Sequence, residues 1–345
     1  MAVKKQELLT IQYLRGIASL FILGYHLTLR YGGTIAVGGF RTDLFFVISG
    51  FIMWVITVDR TIDPGTFMLR RVIRLVPNYW LATMATALLI LVKPNFTYGH
   101  ELDPSRFVGS LFFLPTLSHD RILPVVLQGW TLVYEMMFYV LIAASLLVAQ
   151  RYRPLFLAAA LGALVIIHAL LPEAHFLSLT NPNILLEFLA GVLLGVIWKK
   201  SSLGIGWALL FLVAGPIGFA LSEYYRPDVL PILKFGIPSV LMVAGAVYYE
   251  KSRGVPDIGF LRFLGDASYS IFIWHVFVSI IIDGLLLHLH LPIGIQFALE
   301  ISSTVVLSCL IYVWMERPMT DYLRALIDRK PLPPVRPAAM QRQIS

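Results

Sequence analysis

Apolar residues fill this chain in long unbroken runs rather than in the spaced pattern of a soluble amphipathic element. Runs near 20 residues recur along the whole length, which is the span of a bilayer's hydrocarbon core for a helix. They predict ten membrane-crossing helices, at roughly 11–30, 40–58, 77–93, 125–149, 154–171, 183–199, 204–221, 230–249, 265–288 and 293–315. The third and fifth are short, and the apolar stretch 107–118 suits a re-entrant or interfacial piece. The expected fold class is all-α, a polytopic integral membrane helix bundle. Beyond Glu316 the character changes. Residues 317–330 have the pattern of a short amphipathic surface helix, and the proline-rich end PLPPVRPAAMQRQIS is expected to be disordered. Residues 1–318 thus form one membrane domain and 319–345 a tail, with no soluble domain and no internal repeat.

Composition agrees with the pattern. Of 345 residues 58% are hydrophobic and 14% charged, against about 25% charged in soluble domains. The formal net charge of +7 does not point to nucleic acid, because the cations sit in loops. Seven of the 27 Lys and Arg (Arg30, Arg41, Lys93, Arg106, Arg121, Arg226, Lys234) fall in one set of alternate loops. Arg15 lies inside a helix, and the other 19 share the remaining loops with both chain ends. Positive-inside bias therefore places both termini in the cytoplasm, in agreement with an even number of crossings. Lys4 and Lys5 before the first run resemble a signal peptide, but Arg15 and His26 within it and the lack of a clean cleavage site favour a retained helix. Cys309 stands alone in an apolar run, which excludes a disulfide framework or thiolate metal site.

Against this background each ionisable residue within a run invites explanation, since burying one at mid-bilayer costs at least ~2.5–3.5 kcal/mol. Arg15 and His26 lie eleven residues apart in LRGIASLFILGYH. At about 100° and 1.5 Å per residue they share one helix face, roughly 16 Å apart along the axis. The bland alternatives are a snorkelling anchor for Arg15 and a packing residue for His26. Asp43 opens the second segment near the depth expected for His26, placed either to orient an imidazole or to cap the helix with Thr42. Ser49 and Gly50 suit close packing rather than nucleophilic chemistry. Arg70, Arg71 and Arg74 cluster before the third segment, with Arg70 and Arg74 on one face. Guanidinium forks suit phosphate, and the plainer role is contact with anionic lipid. Glu135 lies among Trp130, Tyr134 and Tyr139, a combination suited to carbohydrate or else to a structural ion pair. Asp266 has the position of a helix cap. Ser268 and His275 share a face of the ninth segment, and His275 is a second intramembrane histidine. No spacing of His, Asp and Glu fits a metal site.

These residues lie in motifs that resemble those of the membrane acyltransferase family 3. LRGIASLFILGYH is similar to its Arg-x10-His motif. DLFFVISGF, FMLRRVIRLVPNYW, WTLVYEMMFY, and LGDASYSIFIWH with the later Glu316-Arg317-Pro318 follow in order. The resemblance covers residues 8–318 and looks most like bacterial exopolysaccharide O-acetyltransferases. It implies a bacterial inner-membrane enzyme that takes acyl groups, usually acetyl from acetyl-CoA as cosubstrate, on the cytoplasmic side. No cofactor is held permanently. The acceptor it implies is a hydroxyl of a surface or lipid-linked saccharide. It further implies that His26 is catalytic and that Arg15 and the pair Arg71 and Arg74 serve donor binding or activity. Where the family commonly has Gly-Val before the aspartate, this chain has Arg41-Thr42, so the acceptor's identity is not carried across.

The mechanism expected has CoA phosphates on Arg70, Arg71 and Arg74 and the pantetheine arm passing Arg15. His26 acts as general base, oriented by Asp43; an acyl-His26 intermediate is the variant. Trp130, Tyr134, Glu135 and His275 are the candidates for contact with the acceptor. A proton-coupled transporter or flippase for a polysaccharide precursor is the competing class, because intramembrane charges suit it equally. A structural subunit of an export complex is a third reading, which leaves the charges unexplained.

Overall fold

The computed structural model describes residues 8–32, 42–92, 102–114, 117–118, 121–122, 124–171, 181–225, 229–289 and 291–328. Lys4, Lys5, Arg41 and the end of the chain from residue 329 lie outside the described residues. Each of the ten predicted segments contains a helix: α1 (Leu9–Arg30), α2 (Asp43–Thr57), α3 (Pro64–Val92), α5 (Gly129–Ser145), α6 (Arg153–Leu170), α7 (Pro182–Lys200), α8 (Ile205–Tyr225), α9 (Ile237–Arg253), α10 (Gly259–Leu286) and α11 (Ile293–Ile311). A short helix, α4 (Pro104–Leu111), falls in the stretch expected to be interfacial, and α12 (Arg317–Asp328) in the amphipathic tail. The only strands among the described residues are the two-residue antiparallel pair β1 (Leu117–Ser118) and β2 (Arg121–Ile122). Among the described residues α3 and α6 to α11 are seven helices long and apolar enough to cross a membrane. α2 and α5 are shorter, at 15 and 17 residues, and α1 is long but more polar.

The bundle is apolar outside, and inside it an apolar core encloses a minority of buried polar groups. Leu155, Ile166, Leu210, Val213, Ile217 and Val306 are exposed on α6, α8 and α11. On α11 the buried residues are Glu300, Thr304 and Ser308, a polar stripe at four-residue spacing that turns inward while leucine and valine face out. This inverts the amphipathicity of a soluble helix and suits a lipid exterior.

Two tightly packed pairs position the site. α1 runs parallel to α10: a Cβ at Gly265 would strike the Gln12 carbonyl, Arg15 Nη2 donates to Ser268 Oγ at 3.0 Å, and Arg30 pairs with Asp283. α2 runs parallel to α7 in the same manner, from Val47 against Gly191 to an ion pair between Asp59 and Lys199. A Cβ at Gly50 would collide with the Phe188 carbonyl, and one at Gly191 with the Val47 carbonyl. Small residues here let the backbones touch, a main source of helix association in lipid. The first turn of α1 has no side-chain cap of its own. Glu250 of α9 supplies one, accepting from the Leu9 and Thr10 N–H groups at 2.9 Å each and from Thr10 Oγ1 at 2.6 Å. A carboxylate on an N-terminus satisfies orphan donors and opposes the helix dipole.

Several boundaries differ from expectation. The third helix starts at Pro64 instead of 77 and runs 29 residues through Pro77, roughly 43 Å at 1.5 Å per residue. The arginine cluster therefore sits on the first turns of a rigid helix rather than in a loop. The apolar run alone could not show this, because those turns are polar. α10 begins at Gly259, so Asp266 lies within the helix and is not its cap. Thr42 occupies the cap position of α2 without a side-chain cap bond, and Asp43 is the first helical residue.

Candidate active site

Two layers of polar side chains run along α1 and α10. In the first, Arg15 reaches Ser268 Oγ and, at 3.4 Å, Gln12 Oε1. In the second, the ring centroids of His26 and His275 are 5.1 Å apart. The shared face expected for Arg15 and His26, and for Ser268 and His275, is the reason both layers form on one interface. His275 is buried, and its Nδ1 lies 2.8 Å from the Phe272 carbonyl and 3.2 Å from that of Ile271. A carbonyl only accepts, so Nδ1 carries the proton and Nε2 keeps its lone pair. No described group donates to that Nε2.

Around Arg15 a cavity of about 610 Å³ opens. Its charged lining among the described residues is Arg15, Arg60, Arg70, Arg71, Arg74 and Arg324 against one carboxylate, Glu135. Arg71 is half-buried, with its guanidinium 5.4 Å from the Phe67 ring and 5.8 Å from the Tyr139 ring. Its buried Nε has no acceptor among the described residues. Tyr139 donates to Glu135. Such a concentration of guanidinium with an orphaned buried donor is suited to a polyanion.

A second polar hub supports this layer from below. Glu316 lies in a π-helical turn (Tyr312–Glu316) between α11 and α12. It accepts from Ser270 Oγ at 2.5 Å and from Asn78 Nδ2 at 3.2 Å, while Trp274 Nε1 donates to Asn78 Oδ1 at 2.9 Å. The hub ties α3, next to Pro77, to α10, and its carboxylate lies within electrostatic reach of Arg15 and Arg74.

The histidine pair stands between two cavities. Phe272 lines the large one; its ring centroid is 6.3 Å from that of His275 and 6.0 Å from that of Phe45. Gln128, whose Nε2 is 3.5 Å from His275 Nδ1, lines a second cavity of about 150 Å³ with Arg106, Ile273 and Val276.

Of the candidates drawn from sequence, Arg15, Arg70, Arg71, Arg74 and Glu135 meet at the large cavity, and His26 meets His275 one layer away. Asp43 comes beside Glu187 of α7, near enough for the two carboxyl groups to act on each other electrostatically, while neither buried Glu187 oxygen has a hydrogen-bond partner among the described residues. Trp130 and Tyr134 do not line the large cavity. Their rings pack on Phe46, at 6.3 and 6.1 Å between centroids. Sequence reasoning passed over Arg60, Arg324, Glu187, Gln128 and Asn78. Glu187 is a carboxylate inside the apolar run 183–199 and was visible by the same criterion as Glu135. The others carry no local signal, because only the packing brings them to the site.

A family model described as an acyltransferase domain matches residues 8–317. The exopolysaccharide production protein ExoZ of Rhizobium meliloti is 36% identical over 321 residues, covering 87% of this chain and 95% of that protein. A protein of Staphylococcus aureus named as an O-acetyltransferase is 26% identical over 351 residues, 88% of this chain. One of Bacillus subtilis named as a peptidoglycan O-acetyltransferase is 24% identical over 353 residues, 89% of this chain. The chain spans 56% and 54% of the length of these last two. No solved structure matches it.

Proposed function

The chain belongs to the membrane acyltransferase family, and on that premise we propose that it moves an acetyl group from acetyl-CoA on the cytoplasmic side to a hydroxyl of an extracellular polysaccharide or its lipid-linked precursor. The observation that carries this reading is the arginine-lined cavity ending one helical turn from the His26–His275 pair. Likeness to ExoZ along nearly its whole length favours an exopolysaccharide acceptor. The transport reading is dropped, because the family and the named relatives are acyltransferases.

In this mechanism the phosphates lie among Arg70, Arg71 and Arg74, and the pantetheine arm extends past Arg15 toward Phe45 and Phe272. The axial distance from Arg15 to His26, roughly 16 Å, is bridged by that arm. His26 takes the proton of the acceptor hydroxyl as its oxygen attacks the thioester carbon. The tetrahedral oxyanion collapses, the C–S bond breaks, and the CoA thiolate leaves and takes up a proton. The Nδ1–H of His275 is fixed on a backbone carbonyl, so its Nε2 lone pair faces the site as an acceptor that holds the acceptor hydroxyl or the His26 N–H. The acceptor approaches from the side of Gln128 and the smaller cavity.

Helix direction supports ten crossings with both termini on one side, and the cation-rich loops on that side favour the cytoplasmic face of an inner membrane. Parallel partners require an odd number of crossings between them. Three helices separate α2 from α7 if α5 crosses, and seven separate α1 from α10 if α2 also crosses. The two short helices are therefore needed as spans.

The test is acetyl transfer by purified protein in nanodiscs with acetyl-labelled acetyl-CoA and the producer's polysaccharide. Label is expected on the saccharide with the wild type and none with His26→Ala of equal thermal stability. Full transfer by His26→Ala would sink the assignment.

A further inference from the structure

The sequence assigns α12 to the surface, yet it contributes to the large cavity. Arg324 and Ile327, three residues apart and so on one helical face, both line it. α12 packs on α3, and the charge of Arg324 acts on Arg71. Arg60, in the turn after α2, lines the same cavity. The cations are graded by depth. Arg15, Arg71 and Arg74 are half-buried, whereas Arg60, Arg70 and Arg324 are exposed at the rim. No carboxylate among the described residues lies within ion-pair distance of Arg60 or Arg324, and Asp321 on α12 pairs with Arg317.

Like charges gathered this way repel one another, and an anion with charge at more than one depth would bind between them favourably. Coenzyme A is such an anion, with a pyrophosphate at the head of its pantetheine arm and a separate phosphate on the ribose 3′ oxygen. If the arm points inward past Arg15, the pyrophosphate falls to the inner arginines and the ribose phosphate to the rim. We propose that Arg324, assisted by Arg60, binds the 3′-phosphate of coenzyme A, so that the C-terminal helix completes the donor site and sets its preference for the phosphorylated nucleotide. This rests on the donor assignment above.

The experiment compares coenzyme A with 3′-dephospho-coenzyme A on full-length protein in zwitterionic nanodiscs by competition against labelled acetyl-CoA. Wild type is expected to bind coenzyme A roughly tenfold or more tightly than the dephospho form, the scale of one hydrogen bond to a charged group. Arg324→Gln is expected to lose most of that preference by weakening coenzyme A alone, with dephospho-coenzyme A bound as before, which also reports an intact fold. Arg324→Lys is expected to retain part of it. Equal binding of the two ligands by wild type overturns the proposal. So does an unchanged preference in Arg324→Gln, the outcome if this arginine serves a lipid headgroup, and so does equal weakening of both ligands. Failure of wild type to bind coenzyme A at all overturns the donor assignment and this inference together.

Discussion

At the scale of single residues the site separates two kinds of buried polar group. Glu300 is fully buried and fully used: Arg30 Nη1 donates to one oxygen at 3.1 Å and Tyr31 Oη to the other at 2.7 Å, with Asp283 on the same guanidinium. Removing the partner of such a group strands a buried charge. Arg30→Ala, which leaves the Glu300 carboxylate with Tyr31 alone, is expected to cost about 3–5 kcal/mol, read as a lower midpoint of thermal unfolding in detergent. His275 is the other kind, held by one nitrogen and open at the second. His275→Gln is expected to lower kcat by about 10²–10⁴-fold with little change in the KM for acetyl-CoA, since the donor's phosphates bind elsewhere. A matching loss of folded protein, read by thermal unfolding, would show that the residue only supports the fold.

At the scale of elements, helices in contact through glycine tolerate no extra atoms. Gly191→Val must push α7 off the α2 backbone, and it is expected to cost about 1–3 kcal/mol or more and to lower the yield of folded protein. Glu250→Ala, which uncaps α1, is expected to cost about 1 kcal/mol and to leave residual transfer. Element identity was legible in the sequence because a membrane run carries its own length standard. Element ends were not. The polar turns of α3 that bear Arg70 to Arg74 lie outside any apolar run, and nothing local announces that a helix continues through them. The same limit explains the site. Arg15 and His26 were readable as a pair because one helix carries both. The partnership of Asp43 with Glu187, and the packing of Trp130 and Tyr134 on Phe46, depend on helices far apart in the chain. The sequence offers Glu135 as a sugar contact or as the partner of an arginine, and the structure puts it on the wall of the arginine cavity.

At the scale of the whole molecule, the alternating directions of the helices make a labelling prediction. In a chain with Cys309 replaced by Ser, a cysteine at Ser201, after α7, is expected to react with an impermeant maleimide only once the cytoplasmic face is opened. One at Tyr224, near the end of α8, is expected to react in intact cells. The reverse pattern would invert the orientation and place the arginine cavity on the wrong side for a cytoplasmic donor. The same architecture carries a liability that soluble transferases never meet. An arginine-lined hollow reaches into the bundle from one side, a smaller hollow sits beyond the histidines, and the rings of Phe45 and Phe272 stand at the boundary. Two titratable imidazoles lie just past them. Were that aromatic partition to open without a substrate filling it, protons would have a stepping-stone path through the membrane. If the protein spans an energised membrane, cells producing Phe272→Gly are expected to show a lower membrane potential than cells producing the wild type, even where transfer itself continues.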